Sequence, residues 1–160
     1  MNTRLHQQID FIMEMDRLKA VLRQNKTPSA QRRENTAEHS WHLAIMGLVL
    51  EDQSPTPVDR AKVLCMLLLH DVVEIDAGDT FAYDESGHAD KADREKRAAD
   101  RLFGLLPNDQ ENELRSIWDE FEAGTSAEAR LARALDRLQP ILMNHRSGAM
   151  SSWAKHGISK

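Results

Sequence analysis

Residues 67–80 read LLLHDVVEIDAGDT. The most apolar run of the chain ends abruptly in His70-Asp71, and Glu74, Asp76 and Asp79 follow within nine residues. Burying charge is costly unless the charge is paired or bound to a metal. Either the chain surfaces at this point, or these side chains surround something positive.

On a regular helix His70 and Asp71 diverge by about 100°, but at a helix end both can turn toward one ion. Glu74 follows His70 by four residues and Asp71 by three, so it shares their face, and Gly78 lets the chain turn back to bring Asp79 near. Imidazole and carboxylates together suit a divalent cation of intermediate hardness. A solvated C-terminal turn with His70 on the helix dipole would show the same residues.

Two further stretches carry chemistry. In ENTAEHSWHLA (34–44), His39 aligns with Leu43 and Met46 on the inward face of a helix, and His42 lies about 60° away; the pattern does not choose between them as a ligand. In RALDRLQP (133–140), Asp136 lies beside a leucine stripe, where an acid must be liganded or paired, with Arg133 or Arg137 as the plain ion-pair alternatives.

The remainder of the chain frames these stretches. Its 160 residues suit one domain with one core, and its 7 glycines and 5 prolines argue against disorder and against a turn-rich all-β protein. A net charge of -5 disfavours a long nucleic acid as partner but not a small phosphorylated ligand. The single cysteine, Cys65, excludes an intrachain disulfide and reads as a small buried hydrophobe. The polar N-terminus lacks a signal-peptide core, and no apolar run reaches the roughly 20 residues of a membrane span. A reducing, cytoplasmic setting follows.

The periodicity predicts an all-α fold, a compact single domain of about six helices over residues 1–160. Leu5, Ile9, Ile12 and Met13 mark the apolar face of the first helix, which a loop around Pro28 ends. Asn35-Thr36-Ala37-Glu38 has the form of a capping box, opening a second helix to about Glu51. Thr56 as N-cap and Pro57 in the first turn open a third, running to about Glu74. A loop between Gly78 and Gly87 leads to a fourth helix with a charged, solvated outer face. Pro107 starts a short fifth. Thr125-x-x-Glu128 opens a sixth, which Pro140 should kink or end. Trp153 suggests that the C-terminal stretch docks on this chain or a partner.

Taken together, EHSWH, HDVVE…GD and LDRL, in that order, resemble the HD-domain metal-dependent phosphohydrolases, over about Arg17 to Asn144. The 5'-deoxynucleotidase-like branch, which removes phosphate from nucleoside monophosphates, is the most similar. The resemblance implies one divalent cation (Mn, Co, Fe, Ni, Mg or Zn) held by His39, His70, Asp71 and Asp136. It implies catalysis by Glu74 and Asp79, and substrate contacts from Arg23, Asp79 and Thr80, with Arg23 gripping the phosphate. His42 has no role in the motif, and His145 reads as structural. Gln24 replaces a common Trp, and TFAYDE (80–85) replaces a Pro-containing segment; both regions touch the sugar or base in the family. The resemblance also implies a homodimer, and a last helix beyond the point where this sequence stops.

On this reading four ligands leave about two positions of an octahedral ion for water and a phosphate oxygen, with Glu74 handling a proton. Two other classes fit the same residues: a hydrolase of another phosphate ester (a nucleoside polyphosphate or a phosphodiester), and a non-catalytic, metal-stabilised regulatory module. Glu74 and Asp79 favour an enzyme, because a purely structural metal site needs neither.

Overall fold

The computed structural model describes residues 3–29, 32–79, 90–148, 151 and 153. Among them are six helices of ten residues or more: α1 (Thr3–Met15), α2 (Thr36–Leu50), α3 (Arg60–Leu69), α5 (Lys91–Phe103), α6 (Asn108–Ala123) and α7 (Ala127–Ser147). A single turn, α4 (Glu74–Ala77), lies between α3 and α5. The all-α expectation holds, with one addition: an antiparallel ribbon of β1 (Leu22–Lys26) and β2 (Arg33–Asn35), pairing Leu22 with Asn35 and Lys26 with Arg33 across a register irregularity.

α3 sits at the centre, packed on α2, α6 and α7. Its Val63, Met66 and Leu67 follow i, i+3, i+4 spacing and are buried with Leu43 and Met46 of α2, Phe121 of α6 and Leu135 of α7. A second cluster joins Phe11 of α1, Val72 and Val73, Leu102 and Phe103 of α5, and Trp118 of α6. His70 lies between the two clusters, its ring against Phe121 of the first and its carbonyl accepting from Trp118 of the second. Gly47 lets α2 and α3 approach closely, since a Cβ there would stand 2.8 Å from Leu67 Cδ1.

Several boundaries differ from the sequence expectation, each for a local reason. α2 begins as predicted, with Asn35 and Glu38 forming both halves of a capping box. α3 is capped not by Thr56 but by Asp59, whose carboxylate accepts from the Ala61 and Lys62 amides. It ends at Leu69, not Glu74, because the chain tightens into three-residue hydrogen bonds, Val72 N to Leu69 O at 3.2 Å and Glu74 N to Asp71 O at 3.0 Å. α6 has 16 residues and is not short. α7 is capped by Ser126, not Thr125, and runs through Pro140.

The first helix corrects the reading of its faces. Leu5, Ile9, Ile12 and Met13 are exposed, and α1 docks through Phe11 instead. Phe11 stacks on Phe103 with ring centroids 6.4 Å apart. Cys65 is only half-buried, on the side of α3 away from its core stripe, and His145 is exposed. Trp153 is half-buried. Gly87, Thr80 and the remainder of TFAYDE lie outside the described residues. No helix among the described residues is long and apolar enough to cross a membrane.

Candidate metal centre

The tightened turn after α3 aims both members of the His-Asp pair inward. His70 is fixed first. Its Nδ1 lies 3.0 Å from the Leu67 carbonyl oxygen, and its own carbonyl accepts from Trp118 Nε1 at 3.0 Å. A carbonyl oxygen can only accept, so Nδ1 carries a proton and Nε2 faces the interior. That Nε2 is buried with no hydrogen-bond partner among the described residues.

Three other donors converge on it. Asp71 Oδ2 stands 3.1 Å and Asp136 Oδ1 3.6 Å from His70 Nε2. His39 Nε2, wholly buried on α2, lies 3.0 Å from Asp136 Oδ1 and 3.7 Å from Asp71 Oδ2. His39, His70 and Asp136 each present a ligand atom within 4.8 Å of the other two. Donors bound to one ion at about 2.1 Å stand roughly 3–4 Å from one another, so the separations fit one cation, and so does the orphaned Nε2. Asp71 has the same reach, but it also accepts from Arg23 Nη1 at 2.8 Å. Asp136 therefore pairs with His39, not with the arginines beside it in sequence. Of the two histidines, His39 faces this cluster, while His42 Nδ1 lies 3.3 Å from Gln139 Nε2.

The electrostatics describe a cluster short of positive charge. Burial opposes a proton on His70, but the Asp71 and Asp136 carboxylates outweigh it and raise the imidazole to about 10. Burial would lift Asp71, yet His70 and Arg23 hold it down at about 2, and Asp136 is likewise depressed by both histidines despite its burial. His39 is lowered, by burial and by the Arg23 charge. His70 thus holds a proton where a cation would sit, and a cation would displace it.

Glu74 opens α4 and is 7 % exposed. Burial, then the Asp71 charge, pushes its carboxyl up to about 9, against Arg23 and a 2.8 Å hydrogen bond donated by Thr36 Oγ1. Asp79, half-buried just after Gly78, is also raised by burial and by Asp71, with Arg23 opposing. Gly78 makes that turn at φ 76°, where a side chain would be strained.

Arg23 reaches the cluster from β1, where its Nη1 donates to Asp71 Oδ2 at 2.8 Å. Burial disfavours its charge, while Asp71, Glu74, Asp79 and Asp136 together raise it.

Sequence reasoning missed Glu34, Thr36 and Gln139. Glu34 is 2 % exposed on β2, accepts from Gln139 Nε2 at 2.8 Å, and has its carboxyl raised by burial against the pull of Arg23 and Gln139. The signals were present but faint: Glu34 heads the ENTAEH motif, and Gln139 follows Asp136 by three residues on the same helical face.

The model for the HD domain matches residues 15–160. The 5'-deoxynucleotidases HDDC2 of Bos taurus and Homo sapiens are 31% and 30% identical over 135 residues, 84% of this chain. The chain spans 64% and 65% of the length of these two relatives. The crystal structure of a predicted metal-dependent phosphohydrolase from Magnetospirillum magnetotacticum MS-1 superposes with a TM-score of 0.90 at 51% identity, covering 97% of this chain and 77% of that one. A Pyrococcus furiosus protein at 21% identity shares the fold with a TM-score of 0.70 over 87% of this chain and 78% of its own.

Proposed function

The chain belongs to the HD-domain family, and from that premise we propose that it is a metal-dependent phosphohydrolase removing the 5'-phosphate of nucleoside monophosphates. The observation that carries the reading is the convergence of His39, His70, Asp71 and Asp136 on one point, with a proton-bearing Glu74 and a buried Arg23 around it. The names of the HDDC2 relatives and of the Magnetospirillum structure support the same class.

His39, His70, Asp71 and Asp136 would hold the ion. A divalent cation there supplies positive charge for the phosphoryl oxygens and acidifies an attacking water. Glu74 is the group that moves a proton: it is protonated near neutrality before a cation arrives, and Thr36 fixes one of its oxygens so that the other serves the reaction. Arg23 presents its guanidinium to the phosphate, which competes with Asp71 for the same N–H groups. Asp79 would contact the water or the ribose.

A second copy of this chain is the proposed partner. α1 leaves Leu5, Ile9, Ile12 and Met13 exposed, and α2 leaves Trp41, Ile45, Leu48 and Val49, each set spaced i, i+4, i+7, i+8. Such apolar stripes mark association surfaces; a clean monomer in sedimentation at micromolar concentration would count against the homodimer.

The activity is tested by phosphate release from deoxy- and ribonucleoside monophosphates, with diphosphates and a phosphodiester alongside, each with Mn²⁺, Co²⁺, Mg²⁺ and Zn²⁺. Release from a monophosphate with one of the metals is expected. Release only from the other esters moves the specificity, and no release with any metal moves the regulatory-module reading ahead.

A further inference from the structure

Of seven buried side-chain polar atoms with no hydrogen-bond partner among the described residues, three are Arg23 Nε, Glu34 Oε2 and His39 Nδ1. They are also neighbours. Glu34 Oε2 lies 3.8 Å from His39 Nδ1 and 3.8 Å from Arg23 Nε. One guanidinium N–H, one imidazole ring nitrogen and one carboxyl oxygen therefore face one another just outside hydrogen-bond range, in a region where buried polar atoms are rarely left unsatisfied. A shift of about 1 Å closes either gap.

The carboxylate is itself held from behind. Gln139 Nε2 donates to Glu34 Oε1 at 2.8 Å. Because a carboxylate only accepts, this contact fixes which end of the Gln139 amide faces it. Gln139 stands three residues after Asp136 on α7, so one helix supplies both a ligand carboxylate and the brace for Glu34.

We propose that Glu34 is a positioning residue: one oxygen, braced by Gln139, orients His39 through Nδ1 and Arg23 through Nε. This rests on the metal-dependent reading above. For His39 to offer Nε2 to a cation, its proton must sit on Nδ1, and Glu34 Oε2 is the acceptor waiting there. The arrangement mirrors His70, whose Nδ1 faces the Leu67 carbonyl. A carboxylate behind a ligand histidine fixes the ring and strengthens it as a ligand. Sharing that oxygen with Arg23 ties the phosphate-gripping side chain to the ion's own ligand, so the ion and the phosphate are oriented by one group that touches neither.

The test is calorimetric titration of the metal-free chain with Mn²⁺, Co²⁺ and Zn²⁺ separately, comparing the parent with Glu34→Gln, Glu34→Asp and Gln139→Ala, with the melting temperature of each metal-free variant alongside. Glu34→Gln should weaken metal binding by about 10–100-fold, the range for losing such a partner, and raise KM for the nucleotide more than it lowers kcat. Glu34→Asp should recover part of the affinity. Gln139→Ala should weaken metal binding by a smaller factor, and it carries the test if Glu34→Gln does not fold. A parent that binds none of the three ions overturns the metal reading and this proposal with it. A parent that binds, with Glu34→Gln (or Gln139→Ala in its place) binding within twofold of it, overturns this proposal alone. A loss of affinity matched by an equal fall in metal-free stability, not relieved by aspartate, assigns Glu34 to folding and also overturns it.

Discussion

The centre has two walls of different origin. One is helical: α2, the turn after α3, and α7 deliver His39, His70, Asp71 and Asp136 from an apolar frame. The other is the ribbon of β1 and β2, which delivers Arg23 and Glu34 from the polar stretches LRQNK and REN. The helical wall holds its elements by apolar packing, with hydrogen bonds such as that of His70 Nδ1 to the Leu67 carbonyl orienting the side chains. The ribbon holds its side chains by polar contacts, among them Arg33 Nε to the Arg23 carbonyl at 2.6 Å and Thr36 N to the Val21 carbonyl at 3.0 Å. On the proposed reading the difference is a division of labour: the packed wall would fix where a cation sits, and the polar wall would set how its ligands and a phosphate are oriented.

That division predicts a graded series of losses. The largest belongs to the helical wall. His70→Ala should abolish metal retention and activity together, checked by elemental analysis of the purified protein and by phosphate release. Retention of a full equivalent of metal would break the comparison at its base.

Next comes Glu74, proposed to serve the reaction but not needed to fill the ligand set. Glu74→Ala should keep the metal and the fold and lower turnover by about 10²–10⁴-fold, the usual range for a lost acid or base. Turnover at the parent's rate would make Glu74 structural.

The ribbon's effects should be smaller and should fall on binding. Arg23→Ala removes a charged contact worth roughly 1.5–3 kcal/mol, so weaker nucleotide affinity should account for much of its effect. A loss confined to kcat would place Arg23 in the chemical step instead.

A pH series sharpens the helical side. His70 is raised to about 10 by Asp71 and Asp136 against its burial, so near neutrality a proton occupies the nitrogen that a cation needs. Metal and proton compete, so uptake should release a proton, and affinity should rise with pH until the pH passes that value, by up to about tenfold per unit. Calorimetry in two buffers of different ionisation enthalpy measures the proton directly; equal heats in both would contradict the assignment. The smallest effect should be that of His42→Ala, which among the described residues reaches the centre through Gln139 and should leave metal content nearly intact.

Legibility in the sequence followed the same two walls. The helical side could be read because apolar spacing and caps are strong local signals: the Asn35–Glu38 capping box and the buried Leu43 and Met46 stand where the pattern puts them. At the start of α3 the pattern pointed to Thr56, but the helix opens at Asp59, whose carboxylate caps it and whose amide donates to Glu128, a distant neighbour that local pattern does not show. The faces of α1 were misread because exposed Leu5, Ile9 and Ile12 look like core unless tertiary packing is known. The ribbon was invisible because it has no apolar alternation and is short, and Glu34 with it, since a lone acid beside Asn35 reads as solvated surface until the fold buries it.

The central claim is that one divalent ion is held by the helical wall through His39, His70, Asp71 and Asp136. Anomalous diffraction at the metal edge, on crystals grown with Mn²⁺, tests it most directly. The account predicts a single strong peak about 2.0–2.3 Å from His39 Nε2, His70 Nε2 and oxygens of Asp71 and Asp136, with Arg23 turned away from Asp71. A peak elsewhere, or an ion bound at His70 with His39 or Asp136 turned away from it, would contradict the claim.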